Sequence, residues 1–89
     1  MGVPYKTHGE EKKLVLACIL VGCEGGKFRA VADAVKKLKG VKVAFPVVGR
    51  WDVVAQVEVA DREALSKIVL KINGLRGVKY TETLVQVMM

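Results

Sequence analysis

Apolar positions along this chain change their spacing from segment to segment, and each spacing predicts an element. Residues 14–22 are rich in Val, Leu and Ile and end in glycine punctuation at Gly22, Gly25 and Gly26, which predicts a fully buried strand. From Lys27 the spacing becomes helical. Phe28, Val31, Ala32, Val35 and Leu38 recur on one side, Lys27, Arg29, Asp33, Lys36 and Lys37 fill the other, and Gly40 offers a left-handed stop. Residues 41–48 return to β-branched and aromatic types, but Pro46 cannot donate to a ladder, so this strand is expected at a sheet edge. After a turn at Gly49-Arg50-Trp51, residues 52–59 come to alternate, with Ala55, Val57 and Val59 opposite Gln56 and Glu58, as in a half-buried strand. Asp61 is placed to cap a second helix whose stripe of Ala64, Leu65, Ile68, Val69 and Ile72 runs to Asn73-Gly74, and residues 78–88 predict the last strand.

The resulting order, β-α-β-β-α-β, predicts an α+β, ferredoxin-like domain: an antiparallel sheet with two helices on one face and the second and fourth strands at the edges. Pro46 then falls where a missing donor does least harm. The halves echo each other, since Gly40-Val41-Lys42-Val43 and Gly77-Val78-Lys79-Tyr80 each follow a helix. The first strand is apolar at both alternating sets of positions, yet helices cover one side of the sheet only. A second copy packing sheet against sheet, making a dimeric α/β barrel, is the expected minimal unit.

A length of 89 residues allows one domain with one modest core. Residues 1–13 hold Pro4, His8, Gly9 and a charge run at 10–13 without apolar periodicity, so they read as a flexible N-terminal arm before a domain at 14–89. The longest apolar run, residues 14–21, falls short of the roughly 20 residues a membrane span needs, which leaves a cytoplasmic location as the expectation. Cys18 and Cys23 are too few for a disulfide framework, and their spacing along a strand points them to opposite faces; both are expected to stay reduced. A net charge of +6 invites a nucleic-acid reading. Lysines such as Lys36, Lys37, Lys39 and Lys42 on amphipathic elements are ordinarily a solvated face, however, and no sequence-specific DNA binding is expected.

Catalytic chemistry finds little to work with. The segment 22–27 lies where a phosphate loop would, but Val21 and Phe28 occupy positions that such a loop reserves for Gly and Ser or Thr. The single histidine, His8, lies in the arm, the cysteines lack metal spacing, and Ser66 has no base beside it, so no catalytic residue, metal or cofactor is expected and the chain does not read as an enzyme. RNA readout by this fold stacks bases on aromatics of the two central strands, whereas Phe45 and Tyr80 fall on edge strands and Trp51 in a turn. Two polar features at strand ends remain, Gly49-Arg50-Trp51-Asp52 and Thr81-Glu82-Thr83. Asp52 suits an ammonium group, and the threonine hydroxyls can donate to or accept from a zwitterion, although turn and strand duties account for the same residues.

The succession Gly40-Val41, Gly49-x-x-Asp52 and Gly77-Val78-x-x-Thr81-x-Thr83 resembles the effector-binding (RAM) domain of the Lrp/AsnC, or feast/famine, regulators over residues 14–87. That resemblance implies dimerisation through the sheet, further assembly into rings that are typically octamers, and an amino-acid effector held in clefts where dimers meet. Carried over by position, it implies Gly49 and Asp52 at the hairpin and Thr81 and Thr83 on the last strand as ligand-binding residues, with Trp51 at a bulky position where tyrosine is commoner. Full family members place a helix-turn-helix before this domain, and residues 1–13 are too short for one. The likeness is therefore to stand-alone modules, which bind amino acids themselves or join helix-turn-helix relatives in mixed oligomers. Two other readings stay open: a small dimeric ferredoxin-like enzyme of the monooxygenase type, and an ACT-like amino-acid-binding domain with its site nearer Gly25-Gly26.

Overall fold

Strand β1 (Val15–Cys23) sends Ala17, Ile19 and Val21 into the core and Leu16, Cys18 and Leu20 to the opposite side, as a period of two requires. A computed structural model describes residues 14–86 of the chain; the arm read from residues 1–13 and positions 87–89 lie outside the described residues. The remaining elements are α1 (Phe28–Lys36), β2 (Val41–Pro46), β3 (Val53–Val59), α2 (Arg62–Asn73) and β4 (Val78–Val85). The sheet runs β2-β3-β1-β4 with every neighbouring pair antiparallel. Pro46 thus ends an edge strand, as its missing N–H demands.

Helix α1 buries Val31, Ala32 and Val35, and α2 buries Leu65, Ile68 and Ile72. These stripes close on one face of the sheet against Ile19, Val21, Val53 and Ala55, all without solvent exposure. Asp61 caps α2 as its position suggests, its Oδ1 accepting from the Ala64 amide at 2.8 Å.

The helix-to-strand joints are built alike in the two halves. Leu38 N–H donates to Val35 O and Val41 N–H to Leu38 O; in the second half Leu75 N–H donates to Ile72 O and Val78 N–H to Leu75 O. Each joint then turns through a left-handed glycine, Gly40 at φ 99° and Gly77 at φ 96°. Helix α2 stops at Asn73-Gly74 as read, but Gly74 is right-handed at φ −89°, and the left-handed turn falls three residues later at Gly77. The extra turn lets the chain swing back to the sheet before pairing. Both glycines are also sites of close approach. A Cβ on Gly40 would lie 2.7 Å from Ile68 Cδ1 of α2, and one on Gly77 would lie 3.0 Å from Lys27 Cβ beside α1.

The other face of the sheet is uncovered. Leu16 and Leu20 of β1, Val54 of β3, Leu84 of β4, and Val43 and Phe45 of β2 share it by register. Val43, Phe45 and Leu84 are exposed. Four strands about 4.8 Å apart and some seven residues long give this face roughly 400 Å² in projection.

Candidate functional site

The hairpin between β2 and β3 is held down by one residue. Asp52 donates its N–H to Val21 O at 2.9 Å, accepts at its own carbonyl from Val47 N–H at 2.9 Å, and accepts at Oδ2 from Cys23 N–H at 2.8 Å. Cys23 lies where β1 slips register against β4, a bulge that frees its N–H from the ladder. Asp52 fills that vacancy and ties the hairpin to the end of β1. Its charge and, more strongly, burial push the Cys23 thiol above its ordinary pKa.

Beside Asp52, the Trp51 ring meets Tyr80 edge-on, with centroids 5.4 Å apart. Tyr80 reaches this position by lying over Gly22, the residue opposite it on β1, where a Cβ would stand 2.7 Å from Tyr80 Cδ1. Gly22 is thus the seat of an aromatic pair and not only a turn residue. Gly49 turns the hairpin at φ 140° with nothing within 4 Å of where its Cβ would be, so the turn itself accounts for the glycine. Val48 at the tip is wholly exposed.

The threonines stand elsewhere. Thr81 and Thr83 pair with Val21 and Ile19, so they share the helix-facing side of β4, whereas Tyr80 and Leu84 share the open side. Thr81 Oγ1 donates to Asn73 Oδ1 at 3.2 Å, and Asn73 Nδ2 donates to Val69 O at 2.8 Å, which fastens the end of α2 to β4. Val53, Val21 and Thr81 lie in one line across the sheet. Two strand spacings, about 10 Å, therefore separate the start of β3 from Thr81. Within a single chain Gly49, Trp51 and Asp52 share one hairpin, with Trp51 against Tyr80 and Asp52 bonded to Cys23, while the Thr81 hydroxyl bonds to Asn73 of α2 instead.

A trough of about 610 Å³ on the open face is lined by Leu16, Cys18, Lys42, Gln56, Glu58 and Leu84. It lies at the Leu16–Glu58 end of the sheet, away from Asp52, and holds an ion pair between Lys42 Nζ and Glu58 Oε1 at 3.8 Å. Among the described residues, no group of three or more His, Cys, Asp or Glu is disposed to hold a metal. Cys18 and Cys23 are both free. No helix among the described residues is long and apolar enough to cross a membrane.

The model of the Lrp/AsnC ligand-binding domain matches residues 16–88. The chain belongs to that family. An HTH-type transcriptional regulator of Pyrococcus furiosus is 36% identical over 58 residues, which are 64% of this chain and 39% of the relative. The chain thus matches about two-fifths of the length of the curated relatives. Among solved structures it is similar to TTHA0845 from Thermus thermophilus, at 33% identity and a TM-score of 0.80, covering 84% of this chain and 95% of that one. It is also similar to the transcriptional regulator NMB0573 of Neisseria meningitidis in its L-Met complex, at 25% identity and a TM-score of 0.73, covering 83% and 50%. This Lrp/AsnC domain therefore has the expected ferredoxin-like architecture. Sequence reasoning did not find the seat of Tyr80 on Gly22 or the Asp52–Cys23 bond. The one available signal was a glycine ending a strand three positions before further turn glycines, which has many meanings.

Proposed function

We propose that this domain is an amino-acid-responsive regulatory module that works as a sheet-to-sheet homodimer and through assembly of such dimers. The observation that carries the reading is the uncovered sheet face, where Leu16, Leu20, Val54 and Leu84 stand with no helix over them. The apolar side chains share a face of roughly 400 Å² with Gln56, Glu58 and Glu82, and a second copy of the same face covers them by two-fold symmetry. Family membership and the L-Met complex of the Neisseria meningitidis regulator support a zwitterionic amino acid as effector. In this reading Gly49, Trp51 and Asp52 form one wall of the effector cleft. Thr81 and Thr83 contribute only where another copy completes it, because a single chain keeps them apart from the hairpin. The exposed Val48 at the hairpin tip supports contact between dimers there. Regulation then follows from assembly, either among copies of this chain or with helix-turn-helix relatives.

Two measurements test this on the same protein. Light scattering is expected to show a dimer or a multiple of it, and Leu20→Asp, which puts an unpaired charge into the covered face, is expected to shift the mass to monomer. Thermal-shift titration against the common amino acids is expected to find at least one that raises the melting temperature, since a ligand selective for the folded state stabilises it. A wild-type monomer would refute the assembly, and the absence of any stabilising amino acid would refute the effector.

A further inference from the structure

The charge of this domain is segregated by layer. Segments 27–39 and 61–76, which are the helices with their flanking turns, carry nine cations, among them Arg29, Lys36, Lys37, Lys67 and Lys71, and all nine are exposed. The same segments hold three carboxylates, and one of these, Asp61, has an oxygen committed to capping α2. The single ion pair among the described residues, Lys42–Glu58, lies on the sheet and uses none of the nine cations. We infer that the helix layer is a docking surface for the phosphate backbone of duplex nucleic acid, engaged without regard to sequence.

Three observations favour that partner. Helix α2, with 12 residues, is about 18 Å long, a length over which a duplex carries about ten phosphates on its two strands, enough to meet the helix's three cations Arg62, Lys67 and Lys71. Both helices spend their apolar stripes on the core, Val31, Ala32 and Val35 in α1 and Leu65, Ile68 and Ile72 in α2, and of their large apolar side chains only Phe28 and Leu70 are exposed, one on each helix and too few for an outward stripe. A helix that binds a lipid surface must instead turn such a stripe outward. Phe28 is the only aromatic side chain in these segments, and Arg29 lies over it at 5.9 Å, which leaves no platform for stacking unpaired bases. The surface also stays available in any assembly through the sheet, because the helix layer lies on the opposite side.

The test is fluorescence anisotropy of the full chain with labelled duplexes of unrelated sequence over a range of salt concentrations. Duplexes are expected to bind equally at low salt, and each phosphate contact should contribute about 0.9 to the slope of log affinity against log salt. The triple variant Lys36→Gln/Lys37→Gln/Lys39→Gln is expected to lower that slope by about 2 to 3, and Lys67→Gln/Lys71→Gln by about 1 to 2. Lys79→Gln serves as the control, since its ammonium lies over the ring of Tyr80, a residue of the open side of the sheet, and it should leave the slope unchanged. Melting temperatures of all variants check that they fold. The inference is overturned by absence of binding at low salt, by slopes that the helix-layer variants leave unchanged, by a preference for one sequence, or by tighter binding to vesicles of anionic lipid than to duplex.

Discussion

Replacing Asp52 separates what its shape does from what its charge does. Asp52→Ala removes the acceptor that holds Cys23 N–H at 2.8 Å and frees the hairpin from the end of β1. A hydrogen bond to a charged group contributes about 1.5 to 3 kcal/mol, and partial exposure here lets water replace some of it, so about 1 to 2 kcal/mol is the expected loss. For a domain of this size that lowers the melting temperature by about 4 to 16 °C at fixed protein concentration. Asp52→Asn keeps an oxygen in the same place and should cost under about 1 kcal/mol. Both variants remove the negative charge that helps push the Cys23 thiol upward, while burial, the larger cause, remains. In a Cys18→Ser background, which leaves Cys23 as the one thiol, both should therefore be alkylated faster than the parent near pH 8, with Asn doing so at almost unchanged stability. An effector whose ammonium meets Asp52 loses affinity in both variants, whereas one that only needs the hairpin held survives in Asn. Equal destabilisation by Asn and Ala, or an alkylation rate that Asn does not raise, would refute this account of the residue.

Two further outcomes follow from local geometry. Gly22→Ala should lift Tyr80 from its seat and leave Trp51 without its edge-on partner, at a cost of about 1 kcal/mol. Because Trp51 is the only tryptophan, intrinsic fluorescence reads the change directly, and an emission spectrum identical to wild type would contradict the packing described. Asp61→Ala should cost about 1 kcal/mol through the lost α2 cap, with Asp61→Ser restoring most of it in thermal unfolding; a serine no better than alanine would mean that the cap bond contributes nothing.

The element order was legible because each element carries its own period, and Pro46 placed β2 at an edge because a missing donor is a local fact. Likewise, the two-sided apolarity of residues 14–22 foretold an uncovered face, though not which set of side chains would form it. The site was less legible, for a physical reason. Asp52 and Cys23 are 29 residues apart, and Tyr80 meets Trp51 only because β4 folds back beside β1. Contacts of that kind depend on strand register and on a bulge at Gly22–Cys23, which no short window of sequence records. The threonines illustrate the point from the other side. Their alternate spacing correctly puts both on one face of β4, but only the pairing with Val21 and Ile19 decides that it is the helix-facing one.

The paired joints at Gly40 and Gly77 bear on how the chain acquires its structure. Gly40 belongs to the first half but presses on Ile68 and Val59 of the second, and Gly77 of the second half presses on Lys27 and Val31 of the first. Each half therefore closes its own corner against the helix of the other, like two hands clasped. A nascent chain that has emerged only as far as the β2–β3 turn has nothing for Gly40 to pack against, and β1 still lacks both of its strand neighbours. Such an architecture is expected to acquire its order cooperatively, once both halves are present. The repeat visible in the sequence thus marks two pieces that each pack against the other, and a break between them is expected to cost the whole domain rather than half of it.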